Sequence, residues 1–128
     1  MEGPERLESL EGNEGGDASV VLSTFATEEE AAGVGRALLE RRLVACVNLV
    51  RGVRSLYRWQ GRIEDQTEVL AVMKTRRDRL PELLAALPTL HPYQVPEILA
   101  LNVAGGGASY LNWLAHEAAP PPKMGEGG

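Results

Sequence analysis

Two long strand-like segments joined by a short reversal constrain the fold of this chain more than any other feature of its sequence. The first extends from Val44 to Trp59 and the second from Ile63 to Thr75, with the reversal in "WQGRI" between them. Both are much longer than the average globular strand of ~5 to 6 residues. We therefore predict a hairpin that projects beyond the domain to which it belongs.

The centre of the second segment, "VLAVM", is apolar at every position. Such a run is typical of a strand that is buried on both faces. A small antiparallel sheet with helices on one side leaves its other face open, so a second cover is needed. We expect that cover to be another copy of the chain, which predicts a homo-oligomer. Gly52 predicts a bulge in the first segment, after which the alternation of faces slips.

Caps and helix breakers mark the remaining elements. We predict a strand over Ser19–Phe25, followed by a helix that Thr27 caps. We expect Asp78 to cap a second helix, and Pro88 to end it. "EILALNV" predicts a fourth strand, and Ser109 is expected to cap a last helix. This order predicts an α+β, ferredoxin-like β-α-β-β-α-β fold with an extra C-terminal helix and an antiparallel sheet.

The net charge of −5 comes from one end of the chain. Residues 1–17 carry six acidic side chains against one arginine, whereas the rest of the chain is balanced. We predict a disordered acidic leader over residues 1–17, a single folded domain over 18–119 and a disordered tail over 120–128. The folded part lacks the basic footprint of a nucleic-acid-binding domain.

Neither a membrane span nor an export signal is expected. No apolar run approaches the ~18 residues that cross a bilayer, and the acidic N-terminus is unlike a signal peptide. The lone Cys46 cannot form an internal disulfide. These features predict a cytoplasmic protein.

His91 and Cys46 are the side chains best suited to chemistry. His91, in "LHPYQVPEILAL", suits a general base or a metal ligand, but it also suits packing at a helix end. Cys46 suits a thiolate ligand for copper(I) or zinc, or a small buried apolar residue. Three charged residues suit either a ligand-binding or catalytic site or charge pairs across an interface: Glu68, Lys74 and Glu97. No catalytic Ser-His-Asp or Cys-His order is recognisable from the sequence, so we do not predict an enzyme.

Three spaced motifs resemble the CutA family of divalent-cation tolerance proteins. They are "RLVACVNLVRGVRSLYRWQGRIEDQTEVLAVMKT", "LHPYQVPEILAL" and "YLNWL". The resemblance runs from about Ser19 to Glu117. It implies a homotrimer similar in plan to the PII signalling proteins, and a role in tolerance of copper or another divalent metal.

The family motifs also suggest site residues. Cys46 matches the cysteine of "ACVN" and His91 the histidine of "HPY", so these two, together with Glu97, are the metal ligands that the resemblance implies. Other characteristic positions would line a cleft between subunits: Tyr57, Trp59, Glu68, Lys74 and Tyr93. The alternative is a PII-like, non-enzymatic signalling trimer that binds a small molecule in such clefts and relays it to a protein partner.

Overall fold

The structure, a computed structural model, describes residues 17–122. The predicted leader and tail lie largely outside this range, and their disorder stays a prediction. Four strands and three α-helices are present in the described range: β1 Ala18–Phe25, α1 Glu28–Glu40, β2 Cys46–Trp59, β3 Arg62–Arg76, α2 Leu80–Leu90, β4 Leu99–Asn102 and α3 Ala108–Glu117. A short 3-10 helix, Arg77–Arg79, precedes α2. None of the helices between residues 17 and 122 is long and apolar enough to cross a membrane.

The strands form one antiparallel sheet in the order β2-β3-β1-β4. This is the predicted ferredoxin-like arrangement with an additional C-terminal helix, and the fold prediction is confirmed. α1 and α2 cover one face of the sheet, where their apolar side chains meet those of β1 and β3. The most deeply buried apolar side chains of this core are Val21, Phe25, Leu38, Met73, Leu83 and Leu87.

Two local features of the hairpin agree with the sequence. Gln60 and Gly61 both have positive φ, 51° and 79°, and form a two-residue turn between β2 and β3. At Gly52, φ is +72° and the pairing register of β2 with β3 shifts between Val50 and Val53. One extra residue in β2 therefore reverses which of its side chains lie on each face of the sheet.

The helix boundaries agree less well. Thr27 caps α1 as predicted, since its Oγ1 accepts a hydrogen bond from the Glu30 N–H at 3.1 Å. The prediction that Pro88 ends the second helix is wrong, because α2 continues to Leu90. Pro88 lies in the last turn, where it lacks the N–H that would donate to the carbonyl of Leu84, a partly exposed residue.

The two other predicted caps are also wrong. The Asp78 carboxylate does not cap a helix but accepts two hydrogen bonds from the Arg76 guanidinium, at 3.0 and 2.6 Å. The N-cap of α3 is Gly107, so Ser109 lies inside the first turn of that helix.

The face of the sheet opposite α1 and α2 is largely uncovered. We call it the open face, and its apolar residues, placed by the strand register, are Val20, Leu22, Val50, Leu70, Val72, Leu99 and Leu101. Leu99 and Leu101 retain 54% and 50% of their exposure. α3 covers only one end of this face, where its apolar side chains pack against Ala18 and Ala45.

Candidate functional site

A cleft of about 720 Å³ lies where the hairpin leaves the sheet. β1 ends at Phe25, opposite Val69, so the first part of β3, residues 62–68, pairs with β2 alone. The segment between α2 and β4 contributes Tyr93 and Glu97 to the wall facing this free part of the hairpin. The cleft therefore lies between the projecting hairpin and the "HPYQVPE" segment.

The lining includes most of the side chains that the family motifs suggested. Tyr57 and Trp59 come from β2, Glu68 from β3, and Tyr93 and Glu97 from the connecting segment. Tyr57 and Trp59 lie on the same face of the hairpin as Glu68, because the bulge at Gly52 reversed the alternation of β2. Their side chains keep 42% and 40% of their exposure.

Glu68 and Tyr93 form the central hydrogen bond of the cleft. The Tyr93 hydroxyl donates to Oε2 of Glu68 at 2.8 Å, and Glu68 is only 7% exposed. Burial raises the pKa of Tyr93 well above its usual value, and the bond to the Glu68 carboxylate raises it further. Among the residues that the structure describes, Glu68 has no cationic partner within ion-pair distance.

His91 holds the connecting segment against the sheet. Its Nδ1 accepts a hydrogen bond from the backbone N–H of Tyr93 at 3.1 Å, so Nε2 carries the proton and donates to the Thr24 carbonyl at 2.8 Å. The ring stacks on Phe25, with centroids 4.1 Å apart and an interplanar angle of 14°. Burial lowers the pKa of His91, which keeps the ring neutral. Both ring nitrogens are therefore engaged within the chain.

Cys46 and Lys74 are not among the residues that line the cleft. They are opposed across β2 and β3, and the Lys74 ammonium lies 5.8 Å from the Tyr110 ring of α3. Lys74 lies six positions after Glu68 along β3, roughly 20 Å of extended strand. Within one chain the structure does not bring Lys74 into the cleft, nor Cys46 next to His91. Over residues 17–122 there is no cluster of three or more His, Cys, Asp or Glu side chains that could hold a metal.

Arg54 is a cleft residue that the sequence did not indicate. It lies on β2, and its guanidinium donates two hydrogen bonds to the Asp65 carboxylate, at 2.9 and 2.6 Å. This contact holds the pKa of Asp65 below its usual value. Periodicity could not reveal the pair, because its register depends on the bulge at Gly52. By the strand register, both side chains lie on the face of the hairpin opposite to that of Glu68.

Comparisons with known proteins agree on one family. Residues 19–117 match the model of the family described as "CutA1 divalent ion tolerance protein". The chain is 48% identical over 95 residues to the divalent-cation tolerance protein CutA of Thermus thermophilus, covering 74% of this chain and 92% of that protein. It is 40% identical over 99 residues to the protein CutA of Mus musculus, covering 77% of this chain but only 56% of the mouse protein. The structure of CutA from Synechococcus elongatus superposes with a TM-score of 0.81 at 33% identity, covering 89% of this chain and 96% of that one.

Proposed function

Since the chain belongs to the CutA1 divalent ion tolerance protein family, we propose that it acts in divalent-cation tolerance as a homotrimer that binds a cation between its subunits. The observation that carries this proposal is the open face of the sheet. A soluble domain rarely exposes a contiguous apolar surface of this kind unless another molecule covers it.

The projecting hairpin supports the same assembly. Residues 62–68 of β3 have only β2 as a neighbour in the sheet. A two-stranded ribbon alone is marginally stable in water. Contacts with a neighbouring subunit would stabilise both the ribbon and the open face. The number of three subunits rests on the resemblance of the sequence to the family.

The metal would lie between subunits, because the described part of a single chain does not fit one. His91 uses both ring nitrogens inside the chain. Cys46 is half-buried at the start of β2, on the open face, with its Sγ 3.6 Å from Oδ1 of Asn48. An assembly that covers this face would place Cys46 at or near the interface, where its thiolate would serve as a ligand for copper or a similar soft ion.

The assembly is tested by analytical ultracentrifugation of the wild type and of Val72→Asp, which places a charge in the middle of the open face. We expect a trimer for the wild type and dissociation for the variant. Glu29→Lys on the exposed surface of α1 serves as the control and should remain trimeric. A monomeric wild type at micromolar concentration would contradict the proposal.

Metal binding is tested by calorimetry with copper(I), copper(II) and zinc on the wild type, Cys46→Ser, His91→Ala and Glu97→Gln. We expect Cys46→Ser to lose most of the binding while His91→Ala and Glu97→Gln retain it. Equal weak binding by all four proteins would reject Cys46 as a ligand. The role in tolerance is then tested by growth of cells that express each variant in elevated copper.

A further inference from the structure

We propose that Glu68 of each subunit forms an ion pair with Lys74 of the partner subunit in the assembly. This ion pair rests on the proposed function, because it exists only in the homotrimer, and it names the charged residues that join one subunit to the next. It concerns the contact between subunits and does not depend on metal binding.

Glu68 needs a cation from outside its own chain. By the strand register, the even-numbered residues of β3 lie on the open face, so Glu68 lies on the side that a neighbouring subunit covers. Glu68 is only 7% exposed, and its one hydrogen bond comes from the neutral hydroxyl of Tyr93. A carboxylate buried without a counter-ion is strongly unfavourable. Since covering this face removes the remaining water, we expect the neighbouring subunit to supply the positive charge.

The open face carries few cations that could meet Glu68. Three of the strand residues that the register places on this face are cationic: Arg62, Lys74 and Arg76. Arg76 is engaged within its own chain, where its guanidinium donates to the Asp78 carboxylate at 3.0 and 2.6 Å and to the Ala115 carbonyl at 3.1 Å. The Arg62 guanidinium lies 3.9 Å from the Glu64 carboxylate. Lys74 is therefore the cation that remains.

Lys74 has no partner of opposite charge among the residues that the structure describes. No carboxylate of residues 17–122 lies within ion-pair distance of its ammonium group, which lies 5.8 Å from the centroid of the Tyr110 ring. The residue is half-buried. Glu68 and Lys74 are thus a carboxylate and an ammonium group on the same face, each without a counter-ion in its own chain. Charges arranged in this way favour a complementary contact between subunits.

A cyclic trimer explains how these two residues would meet. Within one chain they are roughly 20 Å apart along an extended strand, too far for an ion pair. Glu68 lies where the hairpin leaves the sheet, whereas Lys74 lies towards the end of the face that α3 covers. In a closed ring each interface joins two different patches of the subunit surface. A head-to-tail contact therefore brings the Glu68 end of one subunit against the Lys74 end of the next, and repeats around the ring.

Zero-length cross-linking with a carbodiimide tests the ion pair. The reagent couples a carboxylate to an amine only where the two groups are in contact. The chain has two lysines, Lys74 and Lys123, so a Lys123→Arg background leaves Lys74 as the only lysine. We expect covalent dimers and trimers on a denaturing gel, and an amide bond between Glu68 and Lys74 by mass spectrometry. Because the two residues are too far apart within one chain, this bond would join two subunits.

Matched variants assign the cross-link to these two side chains. Glu68→Gln should abolish the cross-link through Lys74, whereas Glu64→Gln, on the same face of the hairpin, should leave it unchanged. Lys74→Arg keeps the positive charge but offers no amine, so it should lose the cross-link and remain trimeric in analytical ultracentrifugation. Cys46→Ser should cross-link like the wild type, which separates this contact from the proposed metal site.

Charge reversal tests how much the ion pair contributes to assembly. Glu68→Lys and Lys74→Glu should each raise the dissociation constant of the trimer by about tenfold or more, because like charges would then meet across the interface. The double variant exchanges the two charges and should recover most of the loss. Arg62→Glu is the control and should assemble like the wild type. Circular dichroism verifies folding, and Lys74→Glu keeps the test valid if Glu68→Lys fails to fold.

The outcomes separate the ion pair from the trimer on which it rests. A monomeric wild type would contradict both. A trimeric wild type without a cross-link through Lys74, or with a cross-link that survives Glu68→Gln, would overturn the ion pair alone. Wild-type assembly by Lys74→Glu would do the same, and a larger effect of Arg62→Glu would assign the counter-ion of Glu68 to Arg62 instead.

Discussion

The hydroxyl of Tyr93 donates a hydrogen bond to the nearly buried carboxylate of Glu68 at 2.8 Å, which joins the segment after α2 to the projecting part of the hairpin. The two residues are 25 positions apart in sequence. This contact and the hydrogen bonds of His91 hold the same segment from two sides. Four predictions follow from these and other contacts of the described residues.

Removing the Tyr93 hydroxyl should destabilise the protein. We expect Tyr93→Phe to lower the free energy of unfolding by about 1.5 to 3 kcal/mol, because the Glu68 carboxylate loses a hydrogen bond in a nearly buried position. Urea denaturation measures the change. Tyr57→Phe is the matched control and should have almost no effect, because the structure shows no hydrogen bond from the Tyr57 hydroxyl within the described range. Equal effects of the two variants would contradict the prediction.

Acidification should destabilise the fold through His91. Its pKa is lowered in the native state, so below the unfolded value of ~6.5 the unfolded chain binds a proton that the native ring does not. Stability is therefore fully present above that pH and falls as the pH decreases towards the native pKa. Protonation of Nδ1 would also place two N–H donors against each other, because this nitrogen accepts a hydrogen bond from the backbone N–H of Tyr93. The hydrogen bond to the Thr24 carbonyl and the carboxylates of Glu30 and Glu68 favour the charged ring, but burial outweighs them.

This pH dependence is checked by urea denaturation of the wild type and two variants between pH 7.5 and 5. His91→Gln should be less stable overall and should have a flatter profile. His116→Gln, at an exposed position of α3, should keep the wild-type slope. If His91→Gln retained the wild-type slope, the titrating group would lie elsewhere.

Two buried serines of β1 should be replaceable with a gain in stability. The hydroxyls of Ser19 and Ser23 are buried and have no hydrogen-bond partner among residues 17–122. We expect Ser23→Ala to raise the free energy of unfolding by about 1 kcal/mol, since an unpaired buried hydroxyl is unfavourable. Thr75 provides the contrast, because its Oγ1 donates to the Leu43 carbonyl at 2.7 Å. Thr75→Val should therefore destabilise the protein by a similar amount, and destabilisation by Ser23→Ala would refute the prediction.

The hairpin turn should tolerate glycine but not alanine. Gly61 has a φ of +79°, so Gly61→Ala should lower the free energy of unfolding by about 1 kcal/mol or more. Gly33 lies inside α1, and a Cβ added there would meet no atom of the described residues within 4 Å. Gly33→Ala should raise stability by about 0.5 to 1 kcal/mol. Thermal denaturation distinguishes the opposite signs of the two changes.

The sequence alone predicted the order of elements, the long hairpin, its bulge at Gly52 and the cap at Thr27. These features follow from local preferences. They are the alternation of apolar side chains, the positive φ that glycine tolerates, and a hydroxyl that accepts a hydrogen bond from the backbone N–H three residues later. Helix ends were less predictable, since a proline such as Pro88 is accepted inside the last turn of α2, where few later N–H groups remain to be displaced. Family motifs identified several cleft residues; the place of Lys74 in a cleft between subunits stays a prediction.

Only the tertiary structure decided which side chains meet. Thr24 and His91 are 67 positions apart in sequence, and no local pattern predicts the hydrogen bond between them. The pairing of Arg54 with Asp65 and the common face of Tyr57, Trp59 and Glu68 depend on a register that one bulged residue shifts. The charge and the volume of the cleft depend on which elements pack together. A sequence therefore determines local conformation through its pattern, whereas the cleft and the open face arise from the register and packing of distant segments.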